Sequence, residues 1–248
     1  MGTAVVYALM QAGIPVTALV PPDGTLRIST NDDRVQVIQG DVWNRGSLKG
    51  RSRGHHTVIH LVGSIKQQPA RGLTYHYLNV DSVQNITRMA IGDGVQQLIF
   101  LSAAGAPWLP ADYIQSKREA EQYIQRSGIR WTILRAPLAY PRSTLRNPLL
   151  IMISLMGAIP LIGRPFARWA PLPVDVMARG IAQLALSDEG ISRVLYGRHL
   201  RRLSREFAAN RAAAHAYPAQ SRQPGPPTPR AIPRLADTDD DAPFGWLP

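Results

Sequence analysis

The sequence has no cysteine, so the chain can form neither disulfide bonds nor thiolate sites for a metal ion. Its six histidines show no metal-ligand spacing, and we predict no metal site. Lysine is also scarce, with three among the 28 basic residues, so the formal net charge of +11 rests on arginines scattered along the chain. Because this scatter lacks the basic stripe of a nucleic-acid-binding surface, we predict no nucleic-acid partner.

No hydrophobic run is long enough to span a membrane. The longest, PLLIMISLMGAIPLIG at residues 148–163, falls short of the roughly 20 residues that a spanning helix needs and contains two prolines. We predict a buried helix or pocket wall there, with an interfacial membrane segment as the alternative. The N-terminal residues do not follow the pattern of a secretory signal peptide. These patterns indicate a cytoplasmic protein, with peripheral attachment to a membrane left open.

Short β-branched or apolar runs alternate with helical segments through the first 140 residues. A helix over residues 3–11 precedes five strands, which we predict at residues 15–20, 35–42, 57–62, 97–102 and 131–134. Helices are predicted over residues 75–91 and 113–126, before the fourth and fifth strands. Strands that alternate with helices indicate an α/β fold, a doubly wound parallel sheet with helices on both faces.

The composition changes near residue 208. Residues 208–248 contain eight of the 21 prolines and show no apolar periodicity, so they cannot bury enough surface to offset the entropy of ordering. We therefore predict one globular domain before this stretch. A disordered tail is predicted over residues 208–248.

The strongest candidates for chemistry lie at and after the fourth strand. Ser102 ends that strand, and Tyr113 and Lys117 follow in a helix, where a spacing of four places them on one face. A neighbouring ammonium favours the phenolate, so we expect Lys117 to lower the pKa of Tyr113 from about 10 toward neutrality. A tyrosine tuned in this way can pass a proton to or from a carbonyl or alcohol during hydride transfer.

Several blocks of the sequence, in order and spacing, resemble the extended and atypical short-chain dehydrogenases. The blocks are GDVWNRGSL, VIHLVGS, YLNVDSVQNI, LIFLSAAGA, YIQSKREAEQYIQRSGIRWTILRAPLAY and LPVDVMARGIAQLAL. The resemblance covers about residues 1–203, and the chain is most similar to the epimerase/dehydratase, NmrA-like and respiratory complex I accessory-subunit groups. It implies one NAD(P)-binding domain over residues 1–203, in which residues 138–175 form a substrate lid. It implies a Rossmann-type fold with NAD or NADP as cofactor, and the choice between the two stays open.

The resemblance also implies a cofactor site. Asp41 matches the acidic residue that hydrogen-bonds the adenine amino group, and Gly63 matches the small residue that lets the chain pass close to the cofactor. The segments around these two residues add Val42, Leu61 and Val62 to the predicted contacts.

The resemblance assigns a catalytic set as well. Tyr113 is the acid/base, and Lys117 lowers its pKa and holds the nicotinamide ribose. Asn79 matches a helix asparagine that supports a proton-relay water. Ser102 stands near the place of the catalytic serine, although it precedes Tyr113 by only 11 residues, which also suits a residue that merely adjoins the cofactor.

In the resembling family the chain begins with a strand and a glycine-rich GxxGxxG turn, whose last glycine opens the first helix. Gly2 falls where that third glycine belongs and is therefore a further candidate for cofactor binding. We expect that the first strand, which is central in the sheet, and two glycines lie upstream of Met1. Either the start codon is placed too late or the gene is a fragment.

Two functions follow from the resemblance. The first is an NAD(P)-dependent oxidoreductase or epimerase-like enzyme acting on a small molecule, and Trp108, Trp131, Trp169 and residues 148–163 favour an apolar substrate pocket. The second is a non-catalytic NAD(P)-binding scaffold or assembly protein associated with a respiratory complex. Turnover distinguishes the two.

Overall fold

The computed structural model describes residues 1–22, 24, 33–141, 169–187 and 192–216, with side chains up to residue 213. The elements are α1 (Gly2–Gln11), β1 (Val16–Val20), β2 (Val35–Gln39), α2 (Arg45–Leu48), β3 (Thr57–His60), a 3-10 turn (Pro69–Arg71), a π-helical turn (Tyr77–Asp81) continuing into α3 (Ser82–Gly92), β4 (Gln97–Ala103), α4 (Ala111–Arg126), β5 (Arg130–Ala136), β6 (Ala139–Tyr140), β7 (Leu172–Pro173), α5 (Val174–Leu186), β8 (Arg193–Tyr196) and α6 (Gly197–Ala216).

Every strand pair in the described residues is parallel, which confirms the predicted α/β architecture. The largest sheet has the order β3–β4–β5–β8, β1 pairs with β2, and β6 pairs with β7. The five predicted strands and the helix before them all form, with small shifts at their ends. Strand β8 and helix α6 complete the sheet and its cover beyond the predicted elements.

Among the described residues, β1 and β3 do not pair with each other, so the two strands belong to separate parallel sheets. In the part of the chain that the structure describes, β1 pairs only with β2, and β3 pairs only with β4. One edge of each strand therefore carries backbone groups without a strand partner. The family resemblance places a central strand at this position.

Side chains on the two faces of the sheet enter two separate cores. In β4, Ile99 faces α1, α5 and α6, whereas Leu98 and Phe100 face α3 and α4. The same alternation holds in β5, where Leu134 and Ile133 point to opposite faces. Helices on both faces bury most residues of these central strands, which explains the apolar run Leu98–Leu101 in β4.

The C-terminal half contains one helix that extends into the predicted tail. Helix α6 continues to Ala216, so the predicted disorder is wrong for residues 208–216. This stretch is rich in alanine, the strongest helix former, and Arg211 Nη1 donates to Gln11 Oε1 at 2.8 Å.

Two predicted segments lie outside the described residues. They are residues 217–248 of the predicted tail and residues 142–168 of the predicted lid, which include the run 148–163. Within the described ranges, no helix has the length and hydropathy needed to cross a bilayer.

The contact between α5 and α6 depends on the absence of a side chain at Gly180. A Cβ there would fall 2.9 Å from the Leu200 carbonyl oxygen and 3.2 Å from the Leu200 Cα. Because backbone atoms cannot move aside like a flexible side chain, we expect Gly180→Ala to lower the free energy of unfolding by about 1–3 kcal/mol. Urea denaturation measures the change.

Gly92→Ala provides the matched control. Gly92 lies in the last turn of α3, and a Cβ there would meet nothing within 4 Å. The added helix propensity should leave this variant as stable as the wild type or slightly more stable. Equal stabilities for the two variants would contradict the proposed close packing of α5 on α6.

Candidate functional site

The predicted site residues lie where parallel strands end. Asp41 and Val42 follow β2, Gly63 follows β3 by three residues, and Ser102 is the penultimate residue of β4. Open parallel sheets bind ligands at the carboxyl ends of their strands, so these positions share one edge of the fold.

Asp41 and Val42 are held by hydrogen bonds from their own loop and from α3. The Trp43 N–H donates to Asp41 Oδ1 at 2.9 Å, and the Asn85 side chain of α3 donates to the Val42 carbonyl at 3.1 Å. Val42 is buried in the core under α3. Its role is therefore to anchor the loop, while the half-buried Asp41 carboxylate stands at the strand end.

Gly63, Asn79 and Lys117 converge at one point. Gly63 has φ +149°, a conformation that side chains rarely adopt. A Cβ built on it would fall 2.4 Å from Lys117 Nζ and 2.6 Å from Asn79 Oδ1. The two side chains thus meet directly against the backbone of the loop after β3, and only glycine leaves room for both.

Asn79 holds this loop with its amide group. It lies in the π-helical turn before α3, and its Oδ1 accepts from the Ser64 N–H at 3.1 Å while its Nδ2 donates to the Ser64 carbonyl at 3.1 Å. Nδ2 also donates to the Tyr75 carbonyl. The side chain is fully buried, and these contacts engage both ends of its amide in shaping the loop. Its predicted support of a relay water stays a prediction.

Lys117 is a buried cation. Its side chain lies on the inward stripe of α4 and is 4% exposed, with Nζ 5.1 Å from the centre of the Phe100 ring. Burial lowers the pKa of Lys117 to about 8, while the negative charge of Glu121 acts in the opposite direction. The imidazole of His60 stacks on the same Phe100 ring, and burial, assisted by Lys117, lowers the pKa of His60 to about 3.

Tyr113 lies one helical turn before Lys117 and packs against Tyr75, with ring centres 5.8 Å apart. The expected lowering of its pKa by Lys117 is wrong for this structure. Burial raises the pKa of Tyr113, and the positive charge that opposes this effect comes from Arg118. The cause is desolvation, which disfavours the phenolate and cannot be judged from residue spacing.

Ser102 belongs to a second, adjacent group that we call the Glu121 cluster, comprising Ser102, Arg118, Glu121, Arg135 and Tyr196. The Ser102 hydroxyl donates to Glu121 Oε1 at 2.5 Å and accepts from Arg118 at 3.3 Å. Arg118 also forms an ion pair with Glu121. The single hydroxyl proton of Ser102 is therefore engaged, and its catalytic role stays a prediction.

The Glu121 cluster joins four elements, α4, β4, β5 and β8. Arg135 of β5 donates to Glu121 Oε2 from Nη2 at 2.6 Å and to the hydroxyl of Tyr196, in β8, at 3.2 Å. The hydrogen bond to Glu121 raises the pKa of Arg135. Sequence reasoning missed this cluster. The available signal was the buried stripe of α4, since residues 116, 117, 120, 121 and 124 follow helical spacing and include one lysine and one glutamate.

The other predicted cofactor residues are more dispersed. Leu61 and Val62 pack against opposite cores, so they fix the chain that leads to Gly63. Gly2 begins α1 and is exposed, and a Cβ on it would meet nothing within 4 Å. Trp131 packs against the core under α3 and α4.

Comparison with families of known sequence gives one match. The family model for NAD(P)H-binding proteins matches residues 1–143. No curated protein matches the sequence significantly.

Solved structures with the same fold include sugar-modifying enzymes. A nucleoside-diphosphate-sugar epimerase from Staphylococcus aureus aligns with a TM-score of 0.54 at 18% identity, over 79% of this chain and 66% of that one. The Bordetella bronchiseptica enzyme WbmH, solved with NAD+, has a TM-score of 0.56 at 16% identity, over 79% and 70%. The dTDP-glucose 4,6-dehydratase DesIV from Streptomyces venezuelae, solved with NAD and TYD, has a TM-score of 0.55 at 17% identity, over 84% and 77%. The chain thus spans just under two thirds of the staphylococcal protein, and the likeness concerns the fold.

The Glu121 cluster predicts a large effect of removing one charge. In Glu121→Gln, two guanidinium groups face a neutral amide in a site where the wild-type carboxylate is 2% exposed. Breaking a buried ion pair in this way costs about 3–5 kcal/mol, so we expect urea denaturation at pH 7 to show a loss of that size. Glu119→Gln, whose carboxylate is half exposed on the same helix, is the control and should change stability little. A loss in the free energy of unfolding below about 1 kcal/mol for Glu121→Gln would contradict the conclusion that Glu121 holds α4 to β4 and β5.

Lys117 predicts an unusual dependence of stability on pH. The unfolded chain keeps the Lys117 proton up to its ordinary pKa of 10.5, whereas the folded chain releases it at about 8. Because the unfolded state then binds more protons between these values, Lys117 makes stability rise with pH through this window. Below about pH 8 the buried ammonium costs roughly 3 kcal/mol, at 1.36 kcal/mol for each unit of pKa.

Lys117→Met tests this account. The variant should melt several degrees higher than the wild type at pH 7, lose the rise in stability between pH 8 and 10.5, and bind NAD(P)H more weakly. Lys49→Met, which removes an exposed lysine, is the control. A lower melting temperature for Lys117→Met at pH 7 would show that the buried ammonium stabilises the fold.

Proposed function

The chain belongs to the NAD(P)H-binding family, and from this membership and the surroundings of Lys117 we propose an NAD(P)-dependent oxidoreductase or epimerase-like enzyme that uses Tyr113 for proton transfer. One observation carries the proposal. Gly63, Asn79 and Lys117 converge at the carboxyl end of β3, one helical turn from Tyr113 on α4. This arrangement supports a reaction centre at the edge of the sheet where such folds bind ligands.

The residues at this edge suit a dinucleotide. The Asp41 carboxylate can accept a hydrogen bond from an amino group, and the Lys117 ammonium can donate to hydroxyls. At the same edge of the sheet, Gly63 leaves its backbone uncovered by a side chain. A Cβ at this position would collide with Lys117 Nζ and Asn79 Oδ1. NAD(P), when bound, would supply or accept the hydride.

The role of Tyr113 follows from its protonation state. Because burial raises its pKa, the phenol keeps its proton at neutral pH and is poised as a donor. In the reductive direction the Tyr113 hydroxyl gives its proton to the substrate oxygen as that oxygen gains negative charge. The alcohol O–H bond forms, and Arg118 supplies the positive charge that favours the phenolate left behind. In the oxidative direction the same phenolate takes the proton back.

A second function is favoured by the Glu121 cluster. The Ser102 hydroxyl is engaged by Glu121 and Arg118, so it offers no free proton to a substrate in this arrangement. A non-catalytic NAD(P)-binding scaffold or assembly protein, including one associated with a respiratory complex, needs no such proton. Tight NAD(P)H binding without oxidation of the cofactor by any carbonyl compound in a broad panel would favour this second function.

Tyr113→Phe tests the enzymatic role. The substitution deletes the hydroxyl and little binding surface, so the dissociation constant for NAD(P)H should change by no more than a few-fold. Turnover of any carbonyl compound that the wild type reduces should fall by about 10²–10⁴-fold, the usual contribution of a general acid. The loss of NAD(P)H absorbance measures turnover, and fluorescence titration measures binding.

Tyr123→Phe is the matched control, since it makes the same change on the same helix. Tyr123 lies near Arg88, at 5.6 Å, on the part of α4 beyond Lys117. Its turnover should equal that of the wild type. Equal turnover for Tyr113→Phe and Tyr123→Phe would refute proton transfer by Tyr113.

A further inference from the structure

The helices on the two faces of the sheet differ in charge. Together, α3 and α4 carry four basic side chains and three carboxylates. On the opposite face, α1, α5 and α6 carry six arginines and two carboxylates, Asp175 and Glu206. The helical layer formed by α1, α5 and α6 is therefore the more positive of the two.

Four of the six arginines form a row on α6 that we call the arginine stripe, comprising Arg198, Arg201, Arg202 and Arg205. With about 3.6 residues per turn, their side chains fall within roughly 100° of the helix circumference. All four are exposed, whereas Leu200, Leu203 and Phe207 lie on the opposite side of the helix and are buried in the core. The buried side holds α6 against α5 and the sheet, so the arginine stripe faces outward.

The carboxylates of this layer leave most of the arginine stripe uncompensated. Asp175 pairs with Arg179 at 3.0 Å, and Glu206 pairs with Arg202 at 3.5 Å. Within the described ranges, no carboxylate forms an ion pair with the other three arginines of the stripe. Residues 142–168, which lie outside those ranges, contain four arginines and no carboxylate. Neither the layer nor that segment therefore supplies the missing negative charge.

The position of the arginine stripe is unfavourable for α6 itself. Like charges stand four residues apart, at 198 with 202 and at 201 with 205, and such pairs destabilise a helix. The stripe also lies in the first half of α6, towards the positive end of the helix dipole, where carboxylates are preferred. Because the stability of the helix does not account for this clustering, the stripe is better explained by an anionic partner.

We propose that the arginine stripe docks the protein on the surface of an anionic phospholipid bilayer. A row of guanidinium groups on a helix that lies along the protein surface contacts several phosphates of a flat layer at once. A cluster of about four to eight basic residues on one helix is typical of binding to anionic lipid headgroups. Tyr7, on α1 of the same layer, is 56% exposed, and tyrosine is favoured at the boundary between headgroups and hydrocarbon.

The size of the arginine stripe favours a lipid surface over duplex DNA. From Arg198 to Arg205 the stripe extends only about 10 Å along the axis of α6. Proteins that bind duplex DNA commonly neutralise about six to ten phosphates, which is more than four arginines can do.

Vesicle flotation of the whole chain tests the proposal, because bound protein rises with the vesicles while aggregated protein sinks. The wild type should float with vesicles that contain about 30% phosphatidylglycerol and should not float with vesicles of pure phosphatidylcholine. Raising the salt from about 0.05 M to about 0.5 M should release it, since salt screens exposed charges. Arg198→Gln/Arg205→Gln should lower the partition coefficient by about tenfold or more. Both side chains are exposed, so the variant should keep its fold, which circular dichroism checks.

Arg88→Gln/Arg126→Gln is the matched control, since it removes the same charge from exposed side chains of α3 and α4 on the opposite face. It should bind the anionic vesicles like the wild type. An equal loss of binding in the two double variants, or no loss in Arg198→Gln/Arg205→Gln, would overturn the proposal.

Two further results would assign the arginine stripe to another partner and overturn the proposal. The first is tighter binding of a fluorescent DNA duplex than of the anionic vesicles at the same salt concentration, measured by anisotropy. The second is no flotation of the wild type with anionic vesicles, which is expected if the acidic residues 237–241 of this chain occupy the stripe.

Discussion

The buried carboxylate of Glu121 is the contact on which the arrangement of this molecule depends. It accepts a hydrogen bond from Ser102 of β4, pairs with Arg135 of β5, and sits on α4, while Arg135 extends the contact to Tyr196 of β8. A buried charge keeps its partners in one geometry, because any other arrangement would leave it without compensation. The register of α4 over the sheet is therefore fixed, and with it the positions of Tyr113 and Lys117.

Lys117 shows that this geometry is maintained at a cost. An ammonium that is 4% exposed, over the face of Phe100, has given up most of its hydration, and the lowered pKa records the loss. Aliphatic side chains of the same size would fill the space more favourably. A fold that keeps a cation there is typical of a functional site, where stability is exchanged for the ability to bind or to move a proton.

Sequence reasoning located those residues of the candidate site that local spacing brings together. The interval of four between Tyr113 and Lys117 and the glycine after β3 could be located from the sequence, and the alternation of strands and helices gave the parallel sheet. Properties that depend on burial could not be obtained in this way. The shift in the pKa of Tyr113 has the opposite direction to the expected one, and the strand partners of Glu121 lie 19 residues before it, at Ser102, and 14 residues after it, at Arg135. The helix over residues 208–216 was missed because proline content was averaged over a tail whose first residues are rich in alanine.

The division of the parallel sheet has a consequence for hydrogen exchange. Strands β4 and β5 are flanked on both sides and buried under helices, so their amide protons exchange only when most of the domain opens. The pair β1 and β2 carries its own ladder of five register positions, and β2 exposes the side chain of Val37 by 49%. A two-stranded ribbon of this kind can open without disturbing the ladder from β3 to β8. We therefore expect β1 and β2 to open more readily than the central strands, so deuterium should enter β1 and β2 well before it enters β4 and β5.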